Sequence, residues 1–329
     1  MSPIEVKVVR RRGWDVVRLT SDLVEVDVLP GKGGDILSAT WRPLGVDVLW
    51  SSPWGLRQHG AVATAGDSVT ALMESYPGGW QTVFPNGGDA TVEHGVEWGM
   101  HGEAWLSPWD FTVGDGAVEL TTRLVRSPFA LHKRIALDAA SITVTETATN
   151  VGGVAVEAMW SHHPAFGAPL IDGSARLDSA ARTIIVDDVR DTSVGDLLVG
   201  GRGMWPDAPT RDGATADLRI LPGPAEAVDR FAYLTDFDRG WAAITNAPLG
   251  LRAELEWDLT VMPHAWLWVE AHATPTFPWY AGAYVVGVEP ASSIPGQGIA
   301  RARAKTGTTL SFAPGESRTA TVVLRLSAA

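Results

Sequence analysis

Ser141-Ile142-Thr143-Val144-Thr145-Glu146-Thr147 sets polar and mostly apolar side chains in strict alternation. A helix gathers residues three and four apart onto one face, whereas a strand sends successive side chains to opposite faces. A period of two is therefore a strand with one face buried and one wetted. The same pattern, strict or nearly so, runs through residues 25–29, 119–124, 251–257 and 319–326. Turn residues punctuate these runs at Pro30-Gly31, Asn86-Gly87-Gly88, Gly114-Asp115-Gly116, Asn150-Val151-Gly152-Gly153 and Ala313-Pro314-Gly315. With 35 Gly, 21 Pro and no long amphipathic pattern, the chain is expected to be all-β, a large antiparallel sandwich.

No break in composition divides the sequence, so one domain is expected over residues 1–329. The stretch 168–228 is rich in Asp, Gly and Pro and reads as a long loop excursion rather than a linker, because strands on both sides need partners. Hydrophobic residues make up 45% of the chain, enough for a large core.

The 38 acidic residues outnumber the 26 Lys and Arg, giving a net charge of −12. That field repels phosphate backbones, so neither nucleic acid nor an anionic membrane is an expected partner. The one basic cluster, Arg10-Arg11-Arg12, reads as a solvated strand end. With no cysteine, disulfides, zinc thiolates, cysteine nucleophiles and iron–sulfur clusters are excluded. No stretch reaches the length of a membrane span and the N-terminus has no apolar leader, so a soluble, cytoplasmic protein is the expectation.

Three polar motifs stand out against this apolar background. Glu289 follows the apolar run 283–288 and precedes Pro290. It is either an exposed strand end or a carboxylate whose partial burial raises its pKa toward that of a general base. His162 and His163 follow the strand-like segment 157–161, and neighbouring strand residues point oppositely, so one is expected to face in and one out. Either is a core imidazole or a proton donor active near neutral pH. His101 lies between Gly99 and Gly102, where the backbone could pass close to a ligand. His94, Glu97, His101 and Glu103 lack the spacing of known zinc motifs, and no metal is expected. Gly31-Lys32-Gly33-Gly34 reads as a β-turn rather than a phosphate loop. There are 15 Trp, and those beside the polar motifs (Trp80, Trp105, Trp266, Trp268 and Trp279) are the candidates to line a site rather than fill core.

In their order along the chain, these motifs resemble the aldose 1-epimerase (galactose mutarotase-like) superfamily. The match runs from Leu29-Pro30-Gly31 and Pro85-Asn86-Gly87-Gly88 through His101-Gly102 and His162-His163-Pro164-Ala165-Phe166. It continues to Asp229-Arg230-Phe231 and Gly287-Val288-Glu289-Pro290. The resemblance implies a supersandwich fold and a mutarotase that interconverts sugar anomers without a cofactor. Carried over, Glu289 is the general base on the anomeric hydroxyl and His163 the general acid on the ring oxygen. His101 then binds near the ring oxygen and Asp229 binds ring hydroxyls, with His162 also at the site. Members commonly carry an arginine in the glycine-led segment before the first histidine. Here residues 76–86 have none, so Trp80, Gln81 and Asn86 are expected to line the pocket, with Arg57 a distant substitute. Ala165 also stands where a tyrosine is frequent, and the resemblance therefore carries no galactose specificity. The expected partner is a small neutral or modified sugar. Two other readings use the same scaffold: a different isomerase or lyase-like proton transfer on a sugar derivative, and a non-catalytic sugar-binding or sensing protein.

Overall fold

A computed structural model describes residues 3–190 and 192–329; of the expected span 1–329, residues 1, 2 and 191 lie outside it. Two large antiparallel sheets dominate, one of 14 strands and one of 8. The alternating sequences become the strands they spell. Ser141–Asn150 buries every second side chain against the core, and Phe129–Asp138 and Leu251–Trp257 do the same in the smaller sheet. Leu251–Trp257 leaves its polar set toward water, as a sandwich strand does, whereas the other two also carry Lys133, Glu146 and Asn150 inward.

Strands at the centre of the larger sheet behave differently. Ser161–Gly167 is buried at all seven positions, and His264–Ala271 and Tyr284–Ala291 at all but the first. Both faces of these strands are covered. The smaller sheet packs on one face; on the other lie the helix Ser68–Ser75 and the connection 272–283, which together roof a cavity. Asp67 caps the helix by accepting from the Thr70 backbone N–H at 2.8 Å, and Leu72 anchors its buried side.

The order across this part of the sheet is Trp80–Val83, Ser161–Gly167, Tyr284–Ala291, His264–Ala271, Val228–Thr235. Ser161 pairs with Ala291 and Ala165 with Gly287, so His163 lies directly across from Glu289. Trp266 opposes Glu289 on its other side, and Tyr233 opposes Trp266. Opposed residues share a face with their Cβ atoms about 5 Å apart. One row across the sheet thus carries His163, Glu289, Trp266 and Tyr233, and a neighbouring row on the same face carries Phe231 and Trp268.

The region 168–228, expected as a long loop excursion, contains five short strands that join the sheets. Arg176–Ser179 joins the smaller sheet, while Thr183–Val186, Arg202–Met204, Asp207–Pro209 and Thr215–Asp217 extend the larger one. Strands of three or four residues are too short to display a period of two, so turn-rich composition hid them. Among the described residues no helix is long and apolar enough to cross a membrane.

Candidate functional site

The cavity above the His163–Glu289 row has a volume of about 330 Å³. His163 Nε2 lies 3.4 Å from Glu289 Oε1, and both side chains are almost entirely buried. Burial pushes the Glu289 carboxyl well above the ordinary carboxylate range. The same burial pulls the His163 imidazole down to about 4. Burial thus favours the neutral carboxyl on Glu289 and the neutral imidazole on His163. Tyr76, at the end of the roof helix, places its hydroxyl 3.4 Å from His163 Nδ1. Burial, and then the nearby Glu289, raise the Tyr76 phenol well above its usual value, so it stays protonated.

His101 sits at φ 56°, a left-handed conformation uncommon outside glycine. Two hydrogen bonds with the Gly88 backbone hold it there: its N–H donates to Gly88 O at 2.9 Å, and the Gly88 N–H donates to its side-chain Nδ1 at 3.1 Å. Burial, and secondarily His163, lower its pKa to about 3, so the ring is neutral. With Nδ1 accepting, the proton sits on Nε2, which makes His101 a neutral donor. Its ring stacks on Trp105 at 5.1 Å and lies 5.7 Å from the His163 ring. Gly88 must be glycine: at φ 82° an added Cβ would lie 1.8 Å from Gly296 O.

Trp105, Trp266, Trp268 and Trp279 line the cavity as expected of site tryptophans. Trp80 does not. Its indole N–H donates to His162 Nδ1 at 3.1 Å, on the opposite face of the sheet. His162 and His163 do point oppositely, but neither faces out. His162 enters the space between the sheets, where its Nε2 lies 3.4 Å from Glu146 Oε2. Glu146 also pairs with Lys133 at 3.0 Å and accepts from Trp160 Nε1 at 3.1 Å and from the Thr82 hydroxyl. His162 belongs to this inter-sheet polar cluster.

Gln81 and Asn86 are likewise off the cavity lining. Gln81 stands next to His163 in the strand register, but its amide donates to Gly78 O at 2.6 Å. Asn86 ties three loops together, donating to Asp89 O and Gly99 O and accepting from the Ile299 N–H. Asp229 is buried behind the lining, where it grips Arg190 at 2.8 Å. Arg57 pairs with Glu74 at 3.0 Å outside the cavity. Glu103 accepts from the backbone N–H groups of Val125 and Arg126. Among the described residues, no group of three or more His, Asp or Glu is arranged to hold a metal.

An arginine does reach the cavity: Arg190, which no sequence motif marked. Two carboxylates already hold it, Asp229 and, at 3.6 Å, Glu270. Its neighbour Asp187 also lines the cavity and accepts from Tyr233 Oη at 2.5 Å and from Gln297 Nε2. Gln297 Oε1 and Trp105 Nε1 have no hydrogen-bond partner in the protein, leaving an acceptor and a donor beside the cavity. The glycines around Gln297 were the available signal for it. At Gly296 an added Cβ would lie 3.2 Å from the Trp266 ring, a close approach of backbone to the site floor.

A family profile described as "Domain of unknown function (DUF4432)" matches residues 11–326. No curated protein matches the sequence. Solved structures do match the fold. A protein from Synechocystis sp. PCC 6803 is 18% identical with a TM-score of 0.69, the match covering 100% of both chains. A galactose mutarotase-like protein from Clostridium acetobutylicum is 15% identical with a TM-score of 0.69, covering 99% of each chain. Another from Lactobacillus casei is 14% identical with a TM-score of 0.62, covering 95% of this chain and 100% of the other. At these identities the likeness establishes the galactose mutarotase-like fold.

Proposed function

We propose that this chain, which belongs to the DUF4432 family, is an aldose 1-epimerase-like mutarotase acting on a neutral sugar. The observation that carries the reading is the 3.4 Å contact between His163 Nε2 and Glu289 Oε1 in a buried, aromatic-lined cavity. With the proton of the Glu289 carboxyl passed across the 3.4 Å contact to His163, Glu289 as carboxylate takes the proton of the anomeric hydroxyl while His163 as imidazolium delivers one to the ring oxygen. The C1–O5 bond breaks, the open-chain aldehyde rotates about C1–C2, and the reverse transfers close the ring on the other face. One proton enters and one leaves the sugar in each direction, so the pair needs no cofactor. Low dielectric around the pair supports this exchange, because neither side chain gains by holding charge alone. Proton transfer of this kind contributes about 10²–10⁴-fold per group.

His101, as a neutral Nε2–H donor, would bind near the ring oxygen. Indole faces of Trp266, Trp268 and Trp279 suit the C–H faces of a pyranose. Arg190 already faces Asp229 and Glu270, and the chain carries a net charge of −12, which together disfavour a phosphorylated or acidic sugar.

The test is NMR of freshly dissolved neutral sugars in D2O with catalytic amounts of protein. Mutarotation equilibrates anomers with no deuterium entering any C–H position. Deuterium at carbon would instead indicate an isomerase or lyase, and binding without anomer exchange a sensor. Either result would overturn the proposal.

A further inference from the structure

Beside the catalytic cavity lies a second recess of about 520 Å³, which shares Met73 and Trp279 with it. Its walls are aromatic: Trp54, Phe277, Trp279 and Tyr280. From the catalytic pair outward the rings follow one another closely. His163 to Trp268 is 5.5 Å between centroids, Trp268 to Trp279 is 6.1 Å, and Trp279 to Trp54 is 5.5 Å with the planes 7° apart. The outer end is open, with Phe277 44% and Tyr280 70% exposed. Large apolar groups left in water beside a site need a reason. Tyr280 and Ala281 also hold φ values of 48° and 58°, left-handed conformations that non-glycine residues adopt at a cost.

The rim of the recess is polar. Arg57 donates to Glu74 at 3.0 Å, and Glu74 also accepts from the Thr64 N–H at 3.0 Å and from its hydroxyl. Trp54 Nε1 is buried with no hydrogen-bond partner in the protein. A purely hydrocarbon or aryl group would leave that donor unanswered and the Arg57–Glu74 rim unused. A pyranose has apolar C–H faces for the indoles and equatorial hydroxyls for the rim. The paired charges on the rim offer no excess charge to an ionic ligand.

We propose that this recess is a second sugar-ring subsite, so that the preferred substrate is a reducing disaccharide or longer saccharide. Its reducing ring would occupy the cavity over His163 and Glu289, and the next ring would rest on Trp54 and Tyr280. The inference rests on the mutarotase reading for its reaction but not for its binding.

The experiment compares maltose, cellobiose, lactose and melibiose with glucose and galactose. Wild type is measured beside Trp54→Ala and the more exposed Phe277→Ser. At least one disaccharide should show a higher kcat/KM than its reducing-end monosaccharide. Both variants should cut that preference, Trp54→Ala by about tenfold, the equivalent of about 1.4 kcal/mol. Saturation-transfer NMR with the same disaccharides and with methyl β-cellobioside, which cannot mutarotate, should mark protons of the non-reducing ring. If no sugar is turned over but that marking appears for any of them and is lost in Trp54→Ala, the subsite stands and the mutarotase reading falls. Saturation confined to the reducing ring, with no disaccharide preferred, would overturn the subsite. So would phenyl β-glucoside binding more tightly than every disaccharide, since it would make the recess an aryl site.

Discussion

The placement of His162 away from the cavity over Glu289 rests on the cluster it joins, and Lys133→Met tests that cluster. Lys133 Nζ lies 3.0 Å from Glu146 Oε1, and the two side chains are 3% and 4% exposed. Burial opposes the Glu146 charge. Lys133, His162 and the Thr82 hydroxyl outweigh it and hold the carboxyl below its ordinary pKa. Methionine keeps most of the Lys volume but strands a buried carboxylate, a change that costs about 3–5 kcal/mol. At about 2–4 °C per kcal/mol this is a fall in Tm of roughly 6–20 °C. The pH dependence has a definite sign. A carboxyl with a lowered folded pKa contributes stability above its unfolded value of 4.5, and that contribution is lost as pH falls. The deficit of Lys133→Met should therefore be large at pH 7 and shrink below pH 4.5. Adding Glu146→Gln to Lys133→Met should recover about 1–3 kcal/mol at pH 7. The assay is equilibrium urea unfolding of the four proteins of the cycle at both pH values. A Lys133→Met protein within about 0.5 kcal/mol of wild type, or a double variant whose losses simply add, would refute the reasoning.

Three further outcomes follow from the site. Glu289→Gln should be at least as stable as wild type at pH 7, because burial makes the native carboxyl hard to ionise; urea unfolding should show the advantage vanish near pH 4.5, and a clear loss at pH 7 would contradict the buried carboxyl. His101, His162 and His163 have pKa values pulled from 6.5 to about 3, 4 and 4, so their neutral burial contributes stability above pH 6.5 that is lost on acidification. Each contributes about 1.4 kcal/mol per pH unit across its window, partly opposed by Glu289, and a Tm that stays flat from pH 6.5 to 4.5 would contradict this. Gly88→Ala should cost well over the roughly 1–2 kcal/mol of left-handed strain and disable the site, whereas Gly95→Ala, with open space around it, should cost only that strain. Thermal unfolding of the two variants compares them directly, and equal losses would contradict the close approach at Gly88.

What the sequence made legible was set by length and period. Ser141–Asn150 and Leu251–Trp257 announce themselves because a sandwich strand wets one face. The strand Thr183–Val186 was illegible because four residues carry too little pattern. The facing of His163 and Glu289 into one cavity depends on a register between strands far apart in sequence, which no local pattern encodes. For the same reason Trp80, Gln81 and Asn86, adjacent in sequence to the site, could not be told from lining residues. Sequence order brings them near, but the face they take is fixed by the sheet and by the Gly78 and Asp89 carbonyls. Arg190 escaped notice because it comes from a loop of the larger sheet's far side and is fixed by Asp229, a contact that no local pattern encodes.

The rate of anomer interconversion tests the central claim most directly. It is measured by NMR exchange on one responsive sugar with wild type, Glu289→Gln and His163→Ala at equal concentration. The account predicts that wild type accelerates exchange above the buffer rate and that each variant loses about 10²–10⁴-fold of that acceleration while staying folded. A folded Glu289→Gln or His163→Ala protein that exchanges anomers as fast as wild type would contradict it.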